Sequence, residues 1–574
     1  MRPSRGASGS SEHLARHVAR NDCLGVNTKA MGAPQSSDPH LNHWADQAAE
    51  RTLRAHPDAQ QITVAAGITP SGVVHIGNFR EVITVDLVAR ALRDRGVEVR
   101  FIYSWDDFDV FRKVPADAPQ QELLAEQLGR SIADVPDPWG EHDSYASHHI
   151  AGFEAGLEDL GIRPEFIRQH RRYREGAYAE GIQKALEHAG TIRRILNDAR
   201  RQHGARTLLA DDWLPLSGFC DACGRDELDF GWDGAWSVHY TCKHCAHEAD
   251  VDIRKGGNLK LPWRVDWPMR WAHEQVCFEP GGKDHSSAGG SYDTAKDIVR
   301  EVYGWTAPQY VGYDFVIPKG RGGKFSSSKG GVVTVADCLE VYEPQVLRWI
   351  FAGYRPNTEF QISFDLDVIK VYEDFDRVVR LAHELDDGSR KDKKRQVARR
   401  TLQLAQPDHA RVEPGSEPPA LVQFRHMSVV LQIFDGDVTG AREHFERAGV
   451  LQDDRDRTLF EQRARCCWTW IEKYAPEDFR YRIRTEPVVR ELDDEPARLL
   501  RSLVEFLEHT PEADETVLGQ HMKALSQSTP GGLESLYPVV YDLLIDRDRG
   551  PKLTSLLATM GTARALPLLR PSVQ

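Results

Sequence analysis

Gln61 to Ser104 reads QITVAAGITPSGVVHIGNFREVITVDLVARALRDRGVEVRFIYS, and this stretch decides the fold. Gln61 to Ile68 is a short apolar run of β-formers that ends at turn residues, as a buried strand does. Thr69-Pro70-Ser71-Gly72 is turn chemistry. From Gly77 to Arg95 the apolar residues Val82, Ile83, Val85, Leu87, Val88 and Leu92 recur at helical spacing, and Gly96 stops the helix. Val97 to Ser104 is a second strand. Strand, loop, helix and strand in that order form the mononucleotide-binding half of a doubly wound parallel sheet.

Downstream, residues from about 110 to 260 interrupt this pattern with helical stretches (Ile150 to Leu160, Tyr173 to Asn197) and a cysteine module. Doubly wound character returns near Trp267. Ser291 to Tyr303 reads as a helix and Tyr310 to Ile317 as a strand. After Val335 the chain turns helical, with strong periodicity over Leu366 to Leu385. Glu413 to Pro419 reads as an exposed loop, and amphipathic helices follow from Val422 with breaks at Thr510-Pro511 and Ser528 to Gly532. The fold class is therefore α/β: a Rossmann-type doubly wound core, an insertion with a metal ribbon, and a helical C-terminal region.

The chain has 574 residues and a net charge of −14, enough for several cores. No apolar run is long enough to cross a bilayer, so a membrane partner is not expected. Met1 to Pro39 lacks an apolar segment of the kind found in a secretory signal and reads as a disordered extension, with Met31 as an alternative start. An acidic chain can still bind nucleic acid through one positive face. The basic runs Arg168 to Arg174, Arg193 to Arg206 and Arg390 to Arg400 are read first as solvated faces and second as RNA contacts.

Four clusters carry chemistry. In His75-Ile76-Gly77-Asn78 a helix begins, and its free amides and dipole favour phosphate. Gly72 and Gly77 allow close backbone approach, while His75 and Asn78 can donate to a phosphoryl group that gains charge. Lys324-Phe325-Ser326-Ser327-Ser328-Lys329 lies among glycines; its lysines suit β- and γ-phosphates, and Ser326 and Ser328 supply donors. Cys220-x2-Cys223 and Cys242-x2-Cys245, with 18 residues between the pairs, match a four-thiolate zinc ribbon in a reducing compartment. His239, His244 and His247 lie close enough in sequence to replace one ligand. Finally, Gly282 to Ser291 offers small residues with Asp284 and His285 at a strand-to-helix turn. Just upstream, LPWRVDWPMRW (Leu261 to Trp271) offers aromatic walls and the Asp266 carboxylate for an ammonium, or else a Trp-rich core with satisfied charges. Asp106, Asp107 and Asp109 follow the second strand and read as a polar loop or a cation site.

Taken together, these runs resemble the class I lysyl-tRNA synthetase family. The likeness rests on His43-Trp44-Ala45-Asp46, GITPSGVVHIGN, SWDDFDVFRKVP, the cysteine ribbon, WRVDWPMRW, GGKDHSSAGGSYDTA and KFSSSKG, in family order from about residue 43 to 380. GVVHIGN is similar to the HIGH signature of class I synthetases, and KFSSSKG to their KMSKS signature. Phe325 and Ser327 stand where the general signature has Met and Lys, a serine-rich form usual for the lysyl family, with Lys329 partly supplying the missing charge.

The resemblance implies a two-step reaction in which lysine and Mg-ATP give lysyl-adenylate and the lysyl group then passes to the terminal adenosine of tRNA(Lys). It implies an ATP site at Pro70, Ser71, Gly72, His75, Gly77, Asn78 and Lys324 to Lys329, with His75, Asn78, Lys324, Ser326 and Ser328 as catalytic groups. Lysine is expected at Gly67, Thr69, Trp263, Asp284, His285 and Tyr313. The expected layout is an extension over 1–40, a catalytic domain over 41–335 with an insertion at about 110–260 and a ribbon at about 215–250, a helical connection over 336–385, and a helical anticodon-binding domain over 386–574. A cytoplasmic monomer is expected. The alternatives are a class I synthetase for glutamate, a non-catalytic tRNA-binding paralog, and a small-molecule nucleotidylyltransferase.

Overall fold

The computed structural model describes residues 43–116, 118–283, 290–319 and 332–573. Helix α1 (Trp44–Ala55) is N-capped by His43, whose ring accepts from the Ala45 amide. Strand β1 (Ile62–Ile68), helix α2 (Ile76–Arg93) and strand β2 (Val99–Trp105) follow, within a residue or two of the expected bounds. Helix α3 (Tyr145–Asp159) leads to strand β3 (Glu165–Arg168). After the cysteine module come helix α4 (Trp263–His273), strand β4 (Val276–Gly282), helix α5 (Ser291–Ile298) and strand β5 (Gln309–Tyr313).

These five strands form one sheet in the order β5-β4-β1-β2-β3, parallel at every pairing. The chain winds outward from β1 to β3, then returns to the other side of β1 for β4 and β5. The strand order thus reverses between β1 and β4, and such a switch point opens a crevice at the carboxyl ends of the strands. Ala65, Ile102, Ile167 and Val276 from the sheet pack with Trp267, Trp271, Ala295 and Val299 from the helical segments that follow the ribbon. Helix α2 packs across β1, β2 and β4, and α1 packs on α2.

The expected strand over Tyr310 to Ile317 is two strands. β5 ends at Tyr313, and β6 (Val316–Pro318) pairs instead with β7 (Phe360–Ile362). The Asp314 amide donates to the Pro356 carbonyl, which turns the backbone out of the first sheet. The expected helix over Ser291 to Tyr303 holds, but its last turns over Val299–Tyr303 are π-helical. The stretch Tyr173 to Asn197 divides into helices Gln169–Arg174, Ala179–Glu187 and Ala189–Gln202.

Beyond β7 the described residues contain helices only. Asp367–His383 and Asp392–Ala405 pair with each other, and the last five helices close on a core that includes Leu500, Leu503, Leu536, Leu544, Leu556 and Leu569. Buried Arg348 ties this region to the sheet layer, donating to the carbonyls of Leu160, Leu404 and Ala405 and pairing with Asp86 at 2.6 Å. Donors set in a fixed plane suit that role, because one side chain here satisfies three carbonyls and a carboxylate.

Part of each basic run is held in such pairs. Arg395 meets Glu384, Asp387 and Asp392, Arg399 meets Asp386, and Arg400 meets Asp46 and Asp94. Arg168 pairs with Glu154, Arg174 with Asp134, and Arg194 with Glu301. These arginines hold elements together, while Arg390, Lys391, Lys393 and Lys394 are exposed, as on a solvated face.

Candidate functional site

The crevice is built from the ends of the strands. His75 is the N-cap of α2: its Nδ1 accepts from the Gly77 amide at 3.1 Å, and the Asn78 side-chain oxygen accepts from the His75 amide at 3.1 Å. This reciprocal capping box sets both side chains. Because Nδ1 accepts, the neutral ring carries its proton on Nε2, and Asn78, with its oxygen used, presents its NH2 as a donor. The capping role and the donor role are therefore compatible, and the first fixes the geometry of the second. The same turn is bound from the other side, where the Ile76 amide donates to the Val333 carbonyl at 2.8 Å and His75 bridges antiparallel to Thr334.

Beside this turn lies a cavity of about 640 Å³ whose walls include Thr69, Ser71, Asp109, Lys113, Lys260 and Trp263. Thr69 donates to Asp109 at 2.8 Å, and Lys260 pairs with the other Asp109 oxygen at 2.7 Å. Trp263 stacks on Trp267 with ring centroids 5.1 Å apart and lies under the Arg270 guanidinium.

Deeper in, Glu81 on α2 accepts from the Gly67 amide at 3.0 Å and from the Tyr313 hydroxyl at 2.6 Å. Glu279 on β4 accepts from the indoles of Trp267 and Trp271. Neither carboxylate forms an ion pair with a described residue. Burial pushes the Glu81 carboxyl up to about 8, against its two hydrogen bonds and helped by the charges of Glu279 and Asp106. Burial likewise raises Glu279. Asp106 is raised to about 6 by burial even though Arg270 pairs with it at 2.7 Å. A buried acid with no ion-pair partner is costly, and burial favours its protonated form.

Gly67 is required at this point for a reason of space. A Cβ there would come within 2.7 Å of the Ser104 carbonyl oxygen on β2.

Of the residues expected to hold an amino acid, Gly67, Thr69, Trp263 and Tyr313 converge on this crevice. Asp284, His285 and the run Lys324 to Lys329 lie outside the described residues. Glu81 was not anticipated from the sequence. Asp266, weighed as an ammonium partner or as a satisfied core charge, is engaged by the Tyr173 hydroxyl and by Arg270. Asp107 and Asp109 are not an open cation site either, since His170 and Lys260 occupy them.

Away from the crevice, strands Leu228–Trp232, Ser237–Cys242 and Glu248–Asp252 form a small antiparallel sheet. Each CxxC knuckle ends in a left-handed residue, Gly224 at φ 75° and Ala246 at φ 56°. The four sulfurs of Cys220, Cys223, Cys242 and Cys245 all lie within 4.8 Å of one another, with 3.6 Å from Cys220 to Cys245 and 3.7 Å from Cys223 to Cys242. Four thiolates at about 2.3 Å from a tetrahedral Zn2+ stand about 3.8 Å apart, so the donor set fits that ion. His239 is turned to Asp250, and no histidine among the described residues joins the cluster.

The chain belongs to the class I tRNA synthetases (K), whose family profile matches residues 42–408. Similar curated proteins are the lysine–tRNA ligase of Borreliella burgdorferi, 43% identical over 91% of this chain and 98% of that one, and that of Treponema pallidum, 42% identical over 91% and 97%. The lysine–tRNA ligase of Pyrococcus furiosus is 40% identical over 90% of this chain and 97% of its own length.

Proposed function

We propose that this chain is a lysine–tRNA ligase. It activates L-lysine with Mg-ATP to lysyl-adenylate and diphosphate, then transfers the lysyl group to the 3′-terminal adenosine of tRNA(Lys) with release of AMP. The observation that carries the reading is the Glu81 carboxylate, held by Tyr313 and Gly67 at the floor of the crevice with no described cation beside it. An ε-ammonium supplies the missing charge. Glutamate would place a carboxylate against Glu81, Glu279 and Asp106, which the charge balance opposes. A polar pocket of this kind discriminates far more strongly than shape alone, worth about 1–3 kcal/mol per methylene.

In this reading His75 and Asn78 donate to the α-phosphate, and Pro70, Ser71, Gly72 and Gly77 shape the turn around the nucleotide. Lys324, Ser326 and Ser328, with Phe325, Ser327 and Lys329, act on the remaining phosphates. Gly67, Thr69, Trp263, Asp284, His285 and Tyr313 complete the lysine site. Cys220, Cys223, Cys242 and Cys245 would hold a structural Zn2+, since four protein ligands leave no open position. The layout that goes with this is a catalytic domain over 41–335 with its insertion and ribbon, a connection over 336–385, an anticodon-binding domain over 386–574, and a cytoplasmic monomer.

The test is aminoacylation of total tRNA with Mg-ATP and each amino acid in turn. Charging with lysine alone, abolished in His75→Ala, is the expected result. Charging with glutamate would refute the pocket, and tight tRNA binding without charging would favour the non-catalytic paralog.

A further inference from the structure

A second cavity, of about 400 Å³, lies at the far end of α2 from His75. It is enclosed by the last turns of α2, the loop between α3 and β3, and the loop after helix Asp392–Ala405. Its walls include Asp86, Arg90, Arg93, Arg163, Asp408 and His409.

Positive charge is in surplus here. Arg90 and Arg348 are 5% and 0% exposed, and both lean on one carboxylate. Asp86 Oδ2 stands 2.8 Å from Arg90 Nε and 2.6 Å from Arg348 Nη2. The other N–H groups of Arg90 donate to the carbonyls of Gly161, Leu404, Gln406 and Pro407. Carbonyls satisfy hydrogen bonds but carry no net charge, so one guanidinium charge in the wall stays uncompensated. Burial holds Arg90 down to about 10, against the pull of Asp86 and with the charges of Arg348 and Arg93 adding to the effect.

Two further cations stand at the mouth. Arg93, the last residue of α2, and Arg163 are both exposed, and neither has an acceptor among the described residues. Nearby acids do not balance them. Asp408 accepts from the Ala410 amide at 3.0 Å, and Asp94 is taken by Arg400 and His409. Asp86 and Asp408 thus face Arg90, Arg348, Arg93 and Arg163, which leaves two positive charges over.

We propose that this cavity binds a small phosphate, inorganic phosphate or a phosphomonoester, between Arg93 and Arg163. Planar guanidinium forks match phosphate oxygens two at a time. A phosphomonoester carries about 1.5–2 negative charges at pH 7, which equals the surplus. Arg90 has no N–H to spare and supplies charge from behind. The bound anion joins the end of α2 to the loop at Arg163, beside the carbonyls of Gln406 and Pro407 that Arg90 already holds. It therefore fastens the sheet layer to the first part of the helical region.

Titration of the full chain with inorganic phosphate, by calorimetry and by melting temperature, tests the site against chloride at equal ionic strength. The expected result is saturable binding, with a thermal midpoint that climbs further in phosphate than in chloride. Arg93→Gln and Arg163→Gln should each weaken binding at least about tenfold. Both side chains are exposed, so the fold tolerates their loss. The turn at His75 is a competing place for phosphate, and His75→Asn separates the two. Binding that persists in His75→Asn and falls in the arginine variants belongs to this cavity. Binding lost in His75→Asn and kept in the arginine variants overturns the proposal, as does a titration with no saturable binding. Absence of phosphate binding together with weaker tRNA binding in Arg163→Gln would overturn it too, giving the arginines to RNA.

Discussion

The Ile76 amide and the Val333 carbonyl, 257 positions apart in the chain, are joined by a hydrogen bond of 2.8 Å. Ile76 is the first residue of α2, and Val333 is among the first described residues after the serine- and glycine-rich run. The start of α2 and the segment at Val333 and Thr334 are thus joined through the backbone, with His75 and Thr334 bridged beside them.

His75 has two duties that substitution separates. His75→Ala removes the cap, costing about 1 kcal/mol of stability. It also removes the proposed donor to the reacting phosphate, which should lower kcat for lysine-dependent ATP–pyrophosphate exchange by about 10²–10³. His75→Asn keeps a good N-cap, so its thermal midpoint should match the parent while the loss in kcat persists. Full activity in His75→Asn would confine the residue to capping.

Glu81→Gln should raise KM for lysine at least about 100-fold, because an ammonium is then left in the pocket without its counter-charge. Tyr313→Phe removes one hydrogen bond to that carboxylate and should cost about tenfold. KM for ATP should change little in either variant. Pyrophosphate exchange over a lysine series reads both effects.

The same carboxylate sets a dependence on pH. Burial raises it from its ordinary 4.5 to about 8 in the folded chain. Between these values the folded state keeps a proton that the unfolded state releases, so the group's contribution to stability falls as pH rises through that window. Glu81→Gln should therefore gain thermal stability over the parent from pH 5 to pH 8. The parent's lysine KM should drop over the same range as the carboxylate ionises. Parallel melting curves of the two proteins would contradict this assignment of the shift.

Removal of metal from the ribbon should unfold it locally. Cys220 and Cys242 are buried in one apolar cluster with Phe219, Val238 and Tyr240, so the damage spreads into the neighbouring helices. Cys223→Ser, or a strong chelator, should release zinc and lower the first thermal midpoint. Zinc content followed by a metallochromic dye, beside a melting curve, checks both.

The β1–α2–β2 unit and the ribbon were legible in the sequence because their signals are local: turn residues, a helix stop at Gly96 and two CxxC knuckles. Glu81 was not, since an acid on the sixth helical residue looks like any solvated position. Only the fold brings Tyr313 and Gly67 against it, and the one hint was its place among apolar neighbours on a helix that the sheet buries. Asp266 misled for the converse reason, because its partners Tyr173 and Arg270 are invisible in the tryptophan run until α4 is built. The break after Tyr313 escaped notice because the apolar pattern continues across it while the pairing partner changes.

Helix α2 carries His75 at its cap and Glu81 inside it. Six residues of α-helix advance about 9 Å. A single rigid ruler thus sets the spacing between His75 and Glu81, the proposed phosphate and ammonium ends of the crevice. Any redesign of amino-acid choice at Glu81 inherits that fixed length, since the ruler cannot be stretched without displacing His75, the proposed phosphate donor.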